Sequence, residues 1–391
     1  MSGNSRSHTF LKWILPLILT IILIAIVKPF GGWAINFVFA AMIIYYEVII
    51  IKRRFAAPAI LLFFLAPVFG ELISSSSPPL EFFSIFGVII QPLLYGLGAI
   101  IVRELTFRWN KGWPTILLLG AAYGIVEEGL ACKSFFNANW GDVGNLGVYG
   151  RTLGVNWVWS TQLTIYHMLF SIFMPILLTY LIFPAQKSVQ WIPSRAFKWV
   201  CGVFAANVIL MFCIMMPPHI YYPPIPHIII TLIVVFLFGL LARRIPAPKP
   251  ASSDDRLKVR GPLSFCLIGA GATLSYALSS FIVPEIGLPP ILAILILTTW
   301  AYAACLLIVR MSAQGRWTDK HKFSLAAGVL LVFVFIDLVR EFKPGQADNP
   351  SGMAVVGIAI LVFLYIIRNQ IIAKNISNLH TEDTIIMPHE G

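Results

Sequence analysis

Long apolar runs, each closed by proline, glycine or charge, recur along the whole chain. They fall at residues 12–28, 33–51, 57–75, 84–102, 114–136, 160–182, 197–216, 226–242, 263–283, 290–309, 323–340 and 352–372. A helix needs about 20 apolar residues to cross the hydrocarbon of a bilayer. Lipid offers the backbone no hydrogen-bond partner, and these runs are apolar on every side, not on alternate residues, so they suit helices and not barrel strands. The pattern predicts an all-α, polytopic integral membrane protein of about 12 transmembrane helices. The polar stretch 243–262, with PAPKPASSDD inside it, reads as a cytoplasmic linker. It divides an eight-helix membrane core (1–242) from a four-helix module (263–372), and residues 373–391 read as a polar, disordered tail. The first run follows a basic start and lacks a small-residue cleavage site, so it reads as a retained span and not a signal peptide.

Composition agrees. Of 391 residues, 58% are hydrophobic and 12% charged, against about 25% charged in soluble domains. This excludes a soluble enzyme, a disordered chain and a coiled coil. The net charge of +11 raises the question of nucleic acid, but the basic residues are spread between spans and not gathered on one element beside aromatics, so no nucleic-acid partner is expected. Of the 28 Lys and Arg, 23 fall at the N-terminus, in the loops after even-numbered spans or at the C-terminus. That bias places both termini in the cytoplasm and the chain in a cytoplasmic membrane. The five cysteines form no CxxC pair, so no disulfide framework, metal or cofactor is expected.

Ionisable residues within spans are where function is sought, because burying them in lipid is unfavourable. Glu71, Glu127, Glu128, His167 and Asp337 all fall in the outer half of their spans. Their shared depth predicts one cavity opening to the extracytoplasmic side. Adjacent helical residues lie about 100° apart, so Glu127 and Glu128 are expected to diverge, one to the cavity and one to a neighbouring helix. A desolvated carboxylate beside a like charge suits a general base acting on water. His219 and His227 lie in and after a proline-rich outer segment, with Thr231 one turn beyond His227. The loop from Phe136 to Asn156 has glycines interleaved with aromatics and one cation, Arg151. It reads as a compact lid, with Arg151 pairing Asp142, a glutamate or an anionic group.

Over residues 113–231 the Glu127-Glu128 pair, His167 and then His227 with Thr231, or His219, resemble the CAAX-protease and bacteriocin-processing family of intramembrane glutamate proteases. Cys132, with Lys133 beside it, stands where that family has arginine, and Leu163 and Thr231 stand where it has an aromatic residue and Asn. The resemblance implies a peptidase acting without metal on a membrane-associated peptide, with one glutamate as base and His167 binding the oxyanion or orienting water. Membrane lipid is the other expected partner. Cys132, Arg151 and His167 also follow the order found in exosortase-like transpeptidases. A proton-coupled transporter or carrier is the non-enzyme alternative.

Overall fold

In the computed structural model the described residues are 57–141, 146–214, 221–247, 261–313, 317–342 and 349–386. The spans expected at 12–28 and 33–51, most of the linker, and His219 lie outside them. The described residues are almost wholly helical, and each remaining expected span has its helix. These are α1 (Ala57–Leu72), α2 (Phe86–Arg108), α3 (Trp113–Ala131), α4 (Trp157–Ile182), α5 (Ser194–Ile214), α6 (Ile225–Arg244), α7 (Pro262–Glu285), α8 (Pro290–Met311), α9 (Asp319–Phe342) and α10, which runs from Met353. All but α1 are long and apolar enough to cross a membrane. Helix α10 continues to Ile386, so much of the segment read as a disordered tail is helical. The one sheet among the described residues is a two-stranded hairpin, β1 (Arg151–Thr152) with β2 (Val155–Asn156).

Four of these helices are not uniformly α. Wider π-helical turns occupy Val68–Leu72 in α1, Pro92–Gly96 in α2, Glu127–Ala131 in α3 and His167–Phe173 in α4. Proline adjoins three of them, as Pro67, Pro92 and Pro175. A proline inside a helix donates no hydrogen bond and clashes with the carbonyl four residues earlier, and a widened turn relieves both problems. Polar residues inside these helices therefore face other directions than an unbroken α-helix would give them.

The core lies where α1 to α4 pack together, and α4 is its most buried span. The last four helices close against it. Tyr276 of α7 donates to the Gln162 carbonyl of α4 at 2.7 Å, and the Phe170 and Phe333 rings sit 5.4 Å apart. Helices α7 and α9 touch backbone to backbone, since a Cβ on Gly328 would collide with the Cys266 carbonyl. At the other end of α2, Arg103 is fully buried, 2.5 Å from Glu104 and stacked 3.8 Å from the Trp191 ring centroid. Its guanidinium donates to the carbonyls of Lys187 and Val189 at 3.0 and 2.7 Å, while the Trp191 amide donates to Glu104 at 3.1 Å. This clasp folds the 184–191 connection onto α2, inside the helix that the sequence pattern ended at 102.

Candidate active site in the membrane core

The central imidazole is that of His167, which is 3% exposed. Its Nδ1 lies 3.1 Å from Glu127 Oε2 and its Nε2 lies 3.1 Å from Glu128 Oε1. The two glutamates thus converge instead of diverging. The π-turn that begins at Glu127 narrows the angle between adjacent side chains, and an imidazole offers a nitrogen on each side. Two glycines on α3 bring α4 close. A Cβ on Gly124 would lie 2.9 Å from His167 Cβ, and one on Gly120 would lie 3.2 Å from Met168 Cα.

A shell of hydroxyl and indole groups holds the trio. Ser171, one turn after His167, is 3.0 Å from Nδ1. Ser134 donates to Glu128 Oε2 and accepts from Trp159 Nε1 at 3.0 Å. Glu71 joins through Tyr95, whose hydroxyl donates to Glu71 Oε1 at 2.7 Å and whose ring centroid is 5.9 Å from that of His167. Ser77 donates to the other oxygen of Glu71 at 2.9 Å. Two buried atoms here, Glu127 Oε2 and Tyr123 Oη, receive or make no aligned hydrogen bond. Tyr123 stands with its ring 6.2 Å from His167.

Asp337 does not join this group. It is fully buried, and the Ser75 hydroxyl donates to it at 3.4 Å. His227 does not join either. Its Nε2 meets the Leu153 carbonyl at 2.8 Å and its ring meets Phe136, so it anchors α6 to the hairpin. Thr231 donates to the His227 carbonyl at 2.7 Å and packs near Gly129 under the α3 π-turn. Arg151 is committed to carbonyls of its own loop, donating to Gly147 and Phe136 at 2.8 Å each. Its buried Nη2 has no hydrogen-bond partner among the described residues. Phe135, Phe136 and Trp159 form a small apolar cluster with Trp140, Leu146 and Val155. It fastens the described part of the 137–156 loop beside the glutamates. Lys133, which the sequence pattern left near the outer end of a span, is buried and donates to the Phe212 carbonyl at 2.7 Å.

Ser134, Ser171, Tyr95 and Tyr123 were not singled out from the sequence, and Trp159 was legible there only as a residue of the membrane interface. Ser171 carried a legible signal, lying one helical turn from His167. The others depend on packing between helices.

On the far side of the α1 π-turn, an apolar cavity of about 370 Å³ runs between α1 and α10. Val68, Phe69 and Leu72 line it from the turn that carries Glu71, facing Val356, Ile360 and Phe363.

No solved structure matches the chain. One curated relative, described as an uncharacterized protein of Archaeoglobus fulgidus, is 26% identical over 130 residues, which is 33% of this chain and 39% of that protein. Residues 60–376 match a family described as an uncharacterized membrane protein family. That match spans most of the chain and includes both glutamates and His167, and it corrects the resemblance to the CAAX proteases. The chain belongs to the uncharacterized membrane protein family.

Proposed function

We propose that the protein is a hydrolase of the membrane interior, cleaving a peptide bond of a membrane-associated substrate with glutamate-activated water. One observation carries this reading: both carboxylates lie 3.1 Å from the nitrogens of a single buried imidazole. A base and its orienting partner must flank the same reacting atom, and this cluster is compact enough to do so. Glu128 is engaged on both oxygens, by His167 and Ser134, and fixes the imidazole. Glu127 keeps an oxygen without a donor and is the base that takes the proton from water. His167 orients that water. The Tyr123 hydroxyl, buried beside Glu127 and without another aligned partner among the described residues, is the donor for the oxygen that becomes negative as water adds to the carbonyl.

The excess of Lys and Arg on alternate loops supports a cytoplasmic membrane with the site in the outer half. A second reading, a proton-coupled carrier, draws on the separate buried acid Asp337.

The test is cleavage of a membrane-peptide library in proteoliposomes by the wild type, Glu127→Gln and Glu128→Gln. Loss of a general base lowers the rate about 10²–10⁴-fold, so Glu127→Gln falls by that factor and Glu128→Gln by less. Equal rates for all three would overturn the proposal. Proton uptake coupled to solute movement, with no cleavage, favours the carrier.

A further inference from the structure

The groups at the centre of the cluster also form a ligand set, and we infer that Glu127, Glu128 and His167 bind one divalent cation of the zinc or manganese kind. The inference deepens the hydrolase reading, on which its catalytic meaning rests, while the site itself rests on geometry.

Hydrogen-bond directions come first. His167 Nδ1 is 3.0 Å from Ser171 Oγ. With the ring proton donated there, Nε2 presents a lone pair to Glu128 Oε1 at 3.1 Å. In that tautomer two acceptors face each other and a cation between them satisfies both, whereas in the other tautomer Nε2 donates to Glu128 directly. Glu128 Oε2 already accepts from Ser134, which leaves Oε1 for that centre. Glu127 is only 1% exposed, and among the described residues its Oε2 has no aligned donor despite lying against the ring. A buried carboxylate oxygen without a donor is one that a cation satisfies.

Distances and charge agree. One ligand atom from each of the three residues lies within 4.8 Å of the others. Metal–ligand bonds of about 2.0–2.2 Å place neighbouring ligand atoms roughly 3–3.5 Å apart; Glu128 Oε1 already stands 3.1 Å from Nε2, whereas Glu127 Oε2 lies against the other ring nitrogen and must turn toward Nε2 to join the same ion. Among the described residues no lysine or arginine forms an ion pair with these carboxylates, and one divalent ion balances the two of them. Glu71 stays outside the set, with both oxygens held by Tyr95 and Ser77. The supports behind the ligands, Ser171 on the imidazole and Ser134 with Trp159 on Glu128, are the outer partners that fix ligand tautomer and orientation in metal sites. Two carboxylates and one imidazole suit zinc or manganese and leave a position open for water. Water bound there loses its proton more readily, and a glutamate bound through one oxygen keeps the other to receive it.

The experiment uses the full chain in nanodiscs, stripped with chelator and titrated with Mn²⁺ alone. Loss of the free-ion paramagnetic resonance signal reads binding, and Zn²⁺ then competes. The expected result is one ion per chain. His167→Ala and Glu128→Gln weaken binding more than roughly 100-fold, and Ser171→Ala, which keeps all three ligands, weakens it about 10–100-fold. Glu71→Gln keeps the stoichiometry at one. A monodisperse wild type without saturable binding would overturn the inference, as would unchanged affinity in His167→Ala. Saturable binding without peptide cleavage leaves the cation site standing and removes the hydrolase reading. Cleavage by chelated protein that binds no ion does the reverse.

Discussion

Gly124 sets how closely α4 approaches α3, and Gly124→Ala tests the site without changing any polar group. The added Cβ meets His167 Cβ at 2.9 Å and Thr164 Cα at 3.4 Å. Carbon contacts settle at about 3.5–4.0 Å, so the helices must separate by roughly 0.5–1 Å at this level. Alanine gains about 1 kcal/mol in helix propensity over glycine. Overpacking a tight contact costs about 1–3 kcal/mol, so the net destabilisation is about 0–2 kcal/mol. The site responds more strongly than the fold, because His167 carries the strain directly. A misplacement of about 1 Å can cost 10²-fold in rate, and a decrease of about 10–100-fold in peptide cleavage is expected. Gly120→Ala is the comparator. It lies one turn earlier, against Met168 Cα at 3.2 Å, and touches no member of the trio. Unfolding temperature in detergent and cleavage rate in proteoliposomes are measured for both variants. If both cleave at the same rate, the α3–α4 distance does not govern the site and the reasoning fails.

Tyr123→Phe removes the hydroxyl assigned to the developing oxyanion and lowers kcat about 10²–10³-fold with KM little changed; a rise in KM alone would show that the hydroxyl binds substrate instead. Arg103→Met leaves Glu104 short of its buried partner and costs about 3–5 kcal/mol, read as a large drop in unfolding temperature. An unchanged temperature there would mean that the clasp on the 184–191 connection contributes nothing to stability. Gly328→Leu forces α7 and α9 apart, with a penalty of about 1–3 kcal/mol or more, seen as early proteolysis between the last helices. Retained protease resistance would refute the backbone contact.

Hydropathy alone located helices α1 to α10 among the described residues, because a run long enough for the bilayer leaves an unmistakable apolar stretch. It misplaced ends where charge is buried. Arg103 and Glu104 ended a span in the sequence pattern yet lie inside α2, since Glu104 pairs with both Arg103 and Arg108 and the 184–191 loop folds over them. Of the acids sought within spans, Glu127 and Glu128 meet His167, and Glu71 stands behind Tyr95. Asp337, expected at the same depth, is bonded to Ser75 instead. Depth fixes a position along the membrane normal and says nothing about which way a side chain faces. The convergence of Glu127 and Glu128 on one ring was not legible for a related reason: the direction of a helical side chain is inferred from α-geometry, and here the geometry changes at Glu127.

Each widened turn holds one residue more than an α-helix needs for the same rise. The polar centre is therefore encoded as four insertions, at 68–72, 92–96, 127–131 and 167–173. Deleting a single residue from any of them restores ordinary winding and rotates everything beyond it by about 100°. Hydrophobic length barely changes, so such a chain keeps its ability to insert. What it loses is the meeting of carboxylates and imidazole.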